Sequence, residues 1–288
     1  VSKRLFKIMI LIIQDEFHIY YCKFNKKRHT RFAPEDEKCY ICRSVKTDTM
    51  KNKPILVIST GAGISAESGI TTFRDAGGLW ENYPVMQVAS AQGFAQNPEL
   101  VHNFYNKRRK ELLKAEPNGA HKALAELEKD FDVYVITQNV DDLHERAGSK
   151  NVLHLHGELM KIRSVSNPDY IETLDTDHLE TTPATRGRNG DPMRPHIVFF
   201  QEPVPNIEKA VEIVMSADIF VVIGTSLAVY PAAGLIEYTR PGIPVFYIDP
   251  NPASTAGHPD VTVIRKKATE GMRDLTEILH AYVEKHKK

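Results

Sequence analysis

The run Ile55–Ser59 is apolar and β-branched; it stops at Gly61-Ala62-Gly63, and a polar, helix-compatible stretch follows. That order reads as a buried parallel strand feeding a glycine turn that opens a helix. Glycine lets a phosphate approach the backbone where a Cβ would collide, and a helix start offers it unpaired N–H groups. The loop departs from the usual dinucleotide spacing: Ala66 stands where a third glycine is expected, and the next glycine is Gly69. Downstream, Gln138, Asn139 and Asp141 close a second strand-like run. Ligands gather at the carboxyl ends of strands in open α/β sheets, where an amide and a carboxylate suit a sugar edge and a carboxamide. His156 ends a third run, immediately before Gly157. A histidine titrates near neutral pH, which suits a general base at that edge. His154 points to the same face but deeper, and reads as structural. Gly224-Thr225-Ser226 and Asp249 with Asn251 close two more runs.

The elements that must position these residues alternate. Strand-like runs are Ile55–Ser59, Val133–Asn139, Val152–His156, Ile197–Phe200, Ile219–Thr225, Val245–Asp249 and Val261–Ile264. Most are continuous apolar runs, as strands buried on both faces of a parallel sheet require. Helical spacing marks Glu99–Lys114, Asn118–Lys129, Ile207–Ser216 and Thr269–Lys285. Alternating strands and helices imply a doubly wound α/β sheet. Two segments break the pattern: roughly 76–117, mainly helical, and 161–195, polar and rich in Pro, Gly, Asp and Thr.

Composition narrows the function. Of 288 residues 42% are hydrophobic and 26% charged, ordinary for a soluble globular protein. The zero net charge conceals an excess of +5 in residues 1–49 and −5 in the rest. An acidic body argues against a nucleic-acid surface. Cys22, Cys39 and Cys42 all lie in the first 49 residues, so the body has no thiol for a disulfide, a cysteine nucleophile or thiolate-bound zinc. Those 49 residues hold one apolar run, Ile8–Ile13, too short to span a bilayer, and no small-residue cleavage site follows it. Residues 1–49 are expected to be an upstream extension outside the fold and outside the native protein. With no membrane partner indicated, a cytoplasmic monomer is the default expectation.

Four ordered blocks carry a family resemblance. Gly61-Ala62-Gly63-x-Ser65 with Ser68-Gly69-Ile70 and Phe73-Arg74 resembles the cofactor loop of the sirtuins, NAD-dependent protein deacylases. Thr137-Gln138-Asn139-Val140-Asp141-x-Leu143-His144, Leu153-His154-Leu155-His156-Gly157-Glu158-Leu159 and Gly224-Thr225-Ser226 continue it, and it covers Met50 to about Lys288. The resemblance implies a Rossmann-like doubly wound parallel sheet built from about 50–75, 118–160 and 196–288. A smaller second domain would come from two insertions, 76–117 and 161–195. It implies NAD as cofactor. Gly61, Ala62, Gly63 and Ser65 would wrap the pyrophosphate through backbone N–H groups, with Phe73 and Arg74 in a mobile loop over the nicotinamide ribose. Trp80, Gln138, Asn139 and Asp141 belong to the same cofactor set, and Gly224, Thr225, Ser226, Asp249, Asn251 and Ala268 lie on the adenosine side. The family often has Asn where Asp249 stands. Asn139, Asp141 and His156 are the catalytic residues so implied. An acyl-lysine carbonyl would attack C1′ of the ribose, nicotinamide would leave, and His156 would take a ribose-hydroxyl proton on the way to free lysine and O-acyl-ADP-ribose.

The implied partners are acyl-lysine proteins. Tyr105 and Arg108 share a helix face, and Arg can grip a carboxylate bidentately. From spacing alone Lys107-Arg108-Arg109-Lys110 reads as a solvated basic face. Tyr-x-x-Arg at this place, with Ile70-Thr71-Thr72-Phe73-Arg74, resembles the class III subgroup that removes succinyl, malonyl and related acyl groups. Most sirtuins carry four zinc-binding cysteines in the segment matching 161–195, and this chain has none there. His178 and His196 with Asp169, Asp175 and Asp177 match no zinc spacing, so no zinc is expected and the module must be held by packing or be mobile. Two other readings stay open, an NAD hydrolase or protein ADP-ribosyltransferase and a non-catalytic NAD-sensing module. Retention of His156 argues against both.

Overall fold

The structure is a computed structural model that describes residues 7–13, 16–22, 53–72, 84–254 and 260–286. By its contacts the chain divides into Val1–Met50 and Lys51–Lys288. In the first unit β1 (Lys7–Ile13) and β2 (Glu16–Cys22) pair antiparallel, Lys7 opposite Cys22.

Along the second unit run β3 (Ile55–Thr60), β4 (Asp132–Thr137), β5 (Val152–His154), β6 (Gly157–Ser164) and β7 (Ile171–Thr173). They are followed by β8 (Met193–Ile197), β9 (Ile219–Ile223), β10 (Val245–Ile248) and β11 (Val261–Ile264). Six of these form one parallel sheet in the order β11-β10-β9-β3-β4-β5. The chain winds outward one way through β3, β4 and β5, then returns to lay β9 against the other side of β3. The reversal lies between β3 and β9, where open α/β sheets bind ligands.

Side chains alternate across the pleat, and here both faces are covered. Leu56, Ile58, Ile219, Val221, Ile223 and Ile248 meet one core cluster with Leu124, Leu127, Met272 and Leu275 of the helices Gly119–Leu127 and Ala268–His286. Val57, Phe220, Val222 and Tyr247 meet the other, with Ala210 and Val214 of the helix Ile207–Ser216. Each fully buried Val, Leu or Ile contributes roughly 2 kcal/mol, which is why the runs are apolar throughout.

One apolar run belongs elsewhere. Ile197–Phe200 reads as a strand of the main sheet, but β8 ends at Ile197 in a separate antiparallel sheet, β7-β6-β8. Phe199 enters a third cluster around the helix Pro98–Leu112, and Phe200 makes an isolated bridge with Ser90. A four-residue apolar run does not say which sheet it joins.

The small sheet is held by buried cations. Arg109, fully buried, donates from Nε to Leu159 O at 2.7 Å and from Nη1 to Asn106 Oδ1 at 2.8 Å and Thr181 Oγ1 at 3.2 Å. One side chain thus ties its helix to β6 and to the segment before β8. Arg194 lies 3.9 Å over the Phe199 ring and donates to Glu202 Oε1 at 2.6 Å, and Arg163 joins the same carboxylate at 3.1 Å. Asp191 accepts from Ser164, Ser166 and Asn189 at 2.6–3.1 Å. Among the described residues no group of three or more His, Cys, Asp and Glu is placed to hold a metal ion.

Two loops cross at the sheet's reversal. Gly63 N donates to Gly224 O at 2.8 Å and Gly61 N to Ile223 O at 3.0 Å. A Cβ on Gly63 would lie 2.6 Å from Gly224 Cα, and Gly224, at φ +61°, would put its own Cβ 2.5 Å from Ile64 N. Gly224→Ala is therefore expected to cost on the order of 3 kcal/mol through backbone strain and overpacking, read as a lowered urea midpoint. A midpoint equal to wild type contradicts the crossing.

Buried histidines set the acid limit. Burial, with Arg109 and Arg194 nearby, pushes His102 down to about 4, and burial pushes His121 to about 4 although Glu145 opposes it. The unfolded chain binds these protons near pH 6.5, at the ordinary imidazole value. The folded chain refuses them until about pH 4. Stability must fall as pH drops through that window, and urea midpoints measured across it test this; a flat profile overturns it.

Candidate active site

The chemistry-bearing side chains converge at the carboxyl edge of β3, β4 and β5. After β3 the chain makes one short helical turn, Ala62–Ser65, and a 3₁₀ turn, Ala66–Ser68. Asn118, the N-cap of the helix Gly119–Leu127, donates to Ile64 O at 2.7 Å and Ser68 Oγ at 3.0 Å. That residue was not singled out by sequence, although its place after Pro117 at a helix start is an N-cap signature.

The loop after β4 is held by hydrogen bonds from Asn139 and to Asp141. Asn139 Nδ2 donates to Gly61 O and to Ser65 Oγ, each at 3.1 Å. Ser65 Oγ donates to Asp141 Oδ2 at 3.0 Å, and Leu143 N donates to Asp141 Oδ1 at 3.3 Å. Ser65, Asn139 and Asp141 are all buried. Burial raises the Asp141 pKa, while the Ser65 and Leu143 hydrogen bonds and the charge on His154 pull it back. A carboxylate has about four acceptor positions, so this one keeps capacity for hydroxyl donors.

His154, the last residue of β5, and His156 just beyond it grip consecutive carbonyls of that loop: His156 Nδ1 meets Gln138 O and His154 Nδ1 meets Asn139 O, both at 3.0 Å. A carbonyl only accepts, so each Nδ1 carries a proton. The His156 proton therefore sits on Nδ1, and its Nε2 lone pair has no hydrogen-bond partner among the described residues. Burial lowers the His156 pKa, with the Gln138 carbonyl opposing, so the ring is a neutral base at pH 7. Gly157 follows at φ +86°, where a Cβ would lie 2.0 Å from His196 O. Only glycine lets the chain turn into β6 straight after His156.

Gln138 Nε2 donates to Thr225 Oγ1 at 3.1 Å, and Tyr247 OH donates to Thr225 O at 2.7 Å. The loop after β9, with Ser226 half-buried, is thereby locked to the β4 end. Asp249 Oδ1 accepts from Asn251 N at 2.7 Å in a turn at the end of β10, with Asn251 exposed. Ala268 opens the last helix with its methyl in the core. The N–H groups of Gly61 and Gly63 are engaged with the β9 loop, which corrects the expectation that they face a phosphate. Their contribution is the missing Cβ, and Ala62, first in its turn, has no intrahelical acceptor for its N–H. Phe73, Arg74 and Trp80 lie outside the described residues.

Tyr105 and Arg108 are buried, not a solvated face. Tyr105 packs in one cluster with Ile70, Val140, Leu143 and Phe199, beside the Asn139–Asp141 loop. Arg108 Nη1 is buried without a hydrogen bond among the described residues, its nearest carboxylate oxygen being Glu111 Oε2 at 3.6 Å. Burial lowers its pKa, while Glu111, Tyr105 and Asp141 favour the cation. Such a guanidinium is a ready partner for a carboxylate. Buried amide, acid and base at one sheet edge, beside a glycine crossing, form a donor set that fits NAD. The acid limb of kcat/KM is expected to titrate below free imidazole, about 6.5, as His156 gains its proton. A limb well above that value contradicts the buried neutral ring.

Residues 61–231 match the Sir2 family. An NAD-dependent protein deacylase of Bacteroides thetaiotaomicron is 55% identical over 233 residues, covering 80% of this chain and 98% of the relative. Another, from Helicobacter pylori, is 49% identical over 226 residues, 78% of this chain and 94% of the relative. A solved Sir2 homologue–NAD complex superposes with a TM-score of 0.70 at 38% identity, covering 80% of this chain and 91% of that one. A solved Sir2 variant with deacetylated p53 peptide and 3′-O-acetyl ADP ribose superposes at 0.66, with 31% identity, 78% and 94% covered.

Proposed function

The chain belongs to the Sir2 family, and we propose that it is an NAD-dependent protein deacylase that favours lysines carrying acidic acyl groups. The deacylase reaction rests on relatives that match nearly end to end and on the site itself. The acyl preference rests on one observation, the buried Arg108 guanidinium with an Nη1 lacking a hydrogen bond among the described residues.

When bound, NAD would supply a ribose C1′ whose bond to nicotinamide breaks as an acyl-lysine carbonyl oxygen bonds to it, so that nicotinamide leaves free. The chain's own groups do the rest. Asn139 and Asp141, immobilised by Gly61 O, Ser65 and Leu143 N, hold a sugar edge and a carboxamide in one orientation, and orientation alone removes much of such a barrier. His156 accepts a proton at Nε2 while its Nδ1–H stays on the Gln138 carbonyl, so the ring need not turn. Tyr105 and Phe199, their rings 6.1 Å apart, give the acyl chain an apolar wall. Arg108 takes the distal carboxylate of a succinyl or malonyl group, replacing the water lost on burial.

Arg108→Met keeps the bulk and removes the charge. Its kcat/KM for a succinyl-lysine peptide is expected to fall on the order of 100-fold, with the matched acetyl-lysine peptide turned over within about threefold of wild type. Equal losses on both peptides would assign Arg108 to the fold and remove the acyl preference.

A further inference from the structure

His154 and His156 hold consecutive carbonyls of one loop and differ at the other nitrogen. The His156 Nε2 is open, whereas His154 Nε2 lies 2.8 Å from Glu145 Oε1. Its Nδ1 is 3.0 Å from Asn139 O, so His154 stands between a carboxylate oxygen and a carbonyl oxygen. Neither can donate when the carboxylate is ionised, and both ring nitrogens must then carry protons. The Glu145 side chain is 41% exposed, so solvent keeps its charge on, whereas the His154 side chain is 8% exposed.

We propose that His154 is a positioning residue, an imidazolium fixed between Glu145 and the Asn139 carbonyl. It holds the Gln138–Asp141 loop in place and supplies the positive charge that keeps buried Asp141 ionised. This rests on the deacylase reading above, in which Asp141 must accept from a sugar hydroxyl.

The groups around it agree. Burial works against the His154 charge, but the Glu145 hydrogen bond and charge, the Asn139 carbonyl and Glu158 outweigh it and raise its pKa. Burial, His121 and the His154 charge together hold His144, on the next helix, neutral. Lys161 pairs with Glu158 at 2.8 Å and favours the Glu145 carboxylate. Burial and, less strongly, the Asp142 charge raise Asp141, while the Ser65 and Leu143 hydrogen bonds and the His154 charge oppose them. The charges alternate through the site: Glu145, His154, Asp141, Arg108.

Two measurements test this. Nitrogen-15 NMR of the histidine rings in the full chain without ligand should show both His154 nitrogens protonated at neutral pH, and one proton on His156, at Nδ1. A singly protonated His154 at pH 7 overturns the proposal. Affinity for ADP-ribose, followed from about pH 5 to about pH 9, gives the functional arm. In His154→Gln the acid limb should move up by about one pH unit, about tenfold weaker binding within the shifted range. Removing a cation raises a carboxylate pKa, so the sign is fixed. A uniform loss with an unshifted limb means a structural role only and also overturns the proposal. If His154→Gln fails to fold, the ring protonation of the wild-type chain still decides. Failure of the deacylase reading would appear separately, as a wild type that releases no nicotinamide.

Discussion

At the centre of the sheet two backbone loops touch with no side chain between them. Gly63 donates to Gly224, and a Cβ on either residue would strike the other loop's backbone. This contact draws the ends of β3 and β9 together at the point where the strand order reverses. Everything that does chemistry is then hung from it. Gly61 offers its carbonyl to Asn139, Asn139 reaches Ser65, and Ser65 reaches Asp141. Thr225, one residue beyond the crossing, takes Gln138, whose carbonyl in turn orients His156. Four strand ends, those of β3, β4, β5 and β9, thus share one set of bonds, so a displacement at the crossing is carried to His156.

The site concentrates buried charge without pairing it conventionally. Asp141 accepts from Ser65 and from Leu143 N with the His154 charge nearby, Arg108 keeps an Nη1 without a hydrogen bond among the described residues, and Arg109 donates to carbonyls, an amide and a hydroxyl but keeps a buried Nη2 with no partner among them. Burying an ion costs free energy unless something replaces its water. For Asp141 and for the Nε and Nη1 of Arg109 the protein supplies part of that replacement; the Arg108 Nη1 has none among the described residues. The same logic applies to the small sheet. Arg109 and Arg194, buried at the joins of helix and strand, tie the small sheet to the helix Pro98–Leu112 and to the Phe199 turn.

The sheet and its loops were legible because parallel strands buried on both faces are unbroken apolar runs, and each ends at a polar or glycine-rich motif. Asn139, Asp141 and His156 fell at strand ends as the runs implied. The small sheet was less legible: β6 alternates in burial and β7 is only three residues, Ile171–Thr173. The basic run at 107–110 misled for a physical reason. Helical spacing puts Arg108 and Arg109 toward the interior and leaves Lys107 and Lys110 exposed, but a run of four cations does not reveal which pair finds buried acceptors. That His154 and His156 lie together at one strand end was visible in outline, whereas the Glu145 contact depends on a helix that only tertiary structure places beside β5.

The most direct test of the account is stoichiometry. The full chain, given NAD and a succinyl-lysine peptide, should release nicotinamide and unmodified peptide one for one, with neither formed when the acyl group is absent. Nicotinamide released equally without an acyl peptide would show that the site cleaves NAD on its own, and the deacylase assignment would fall.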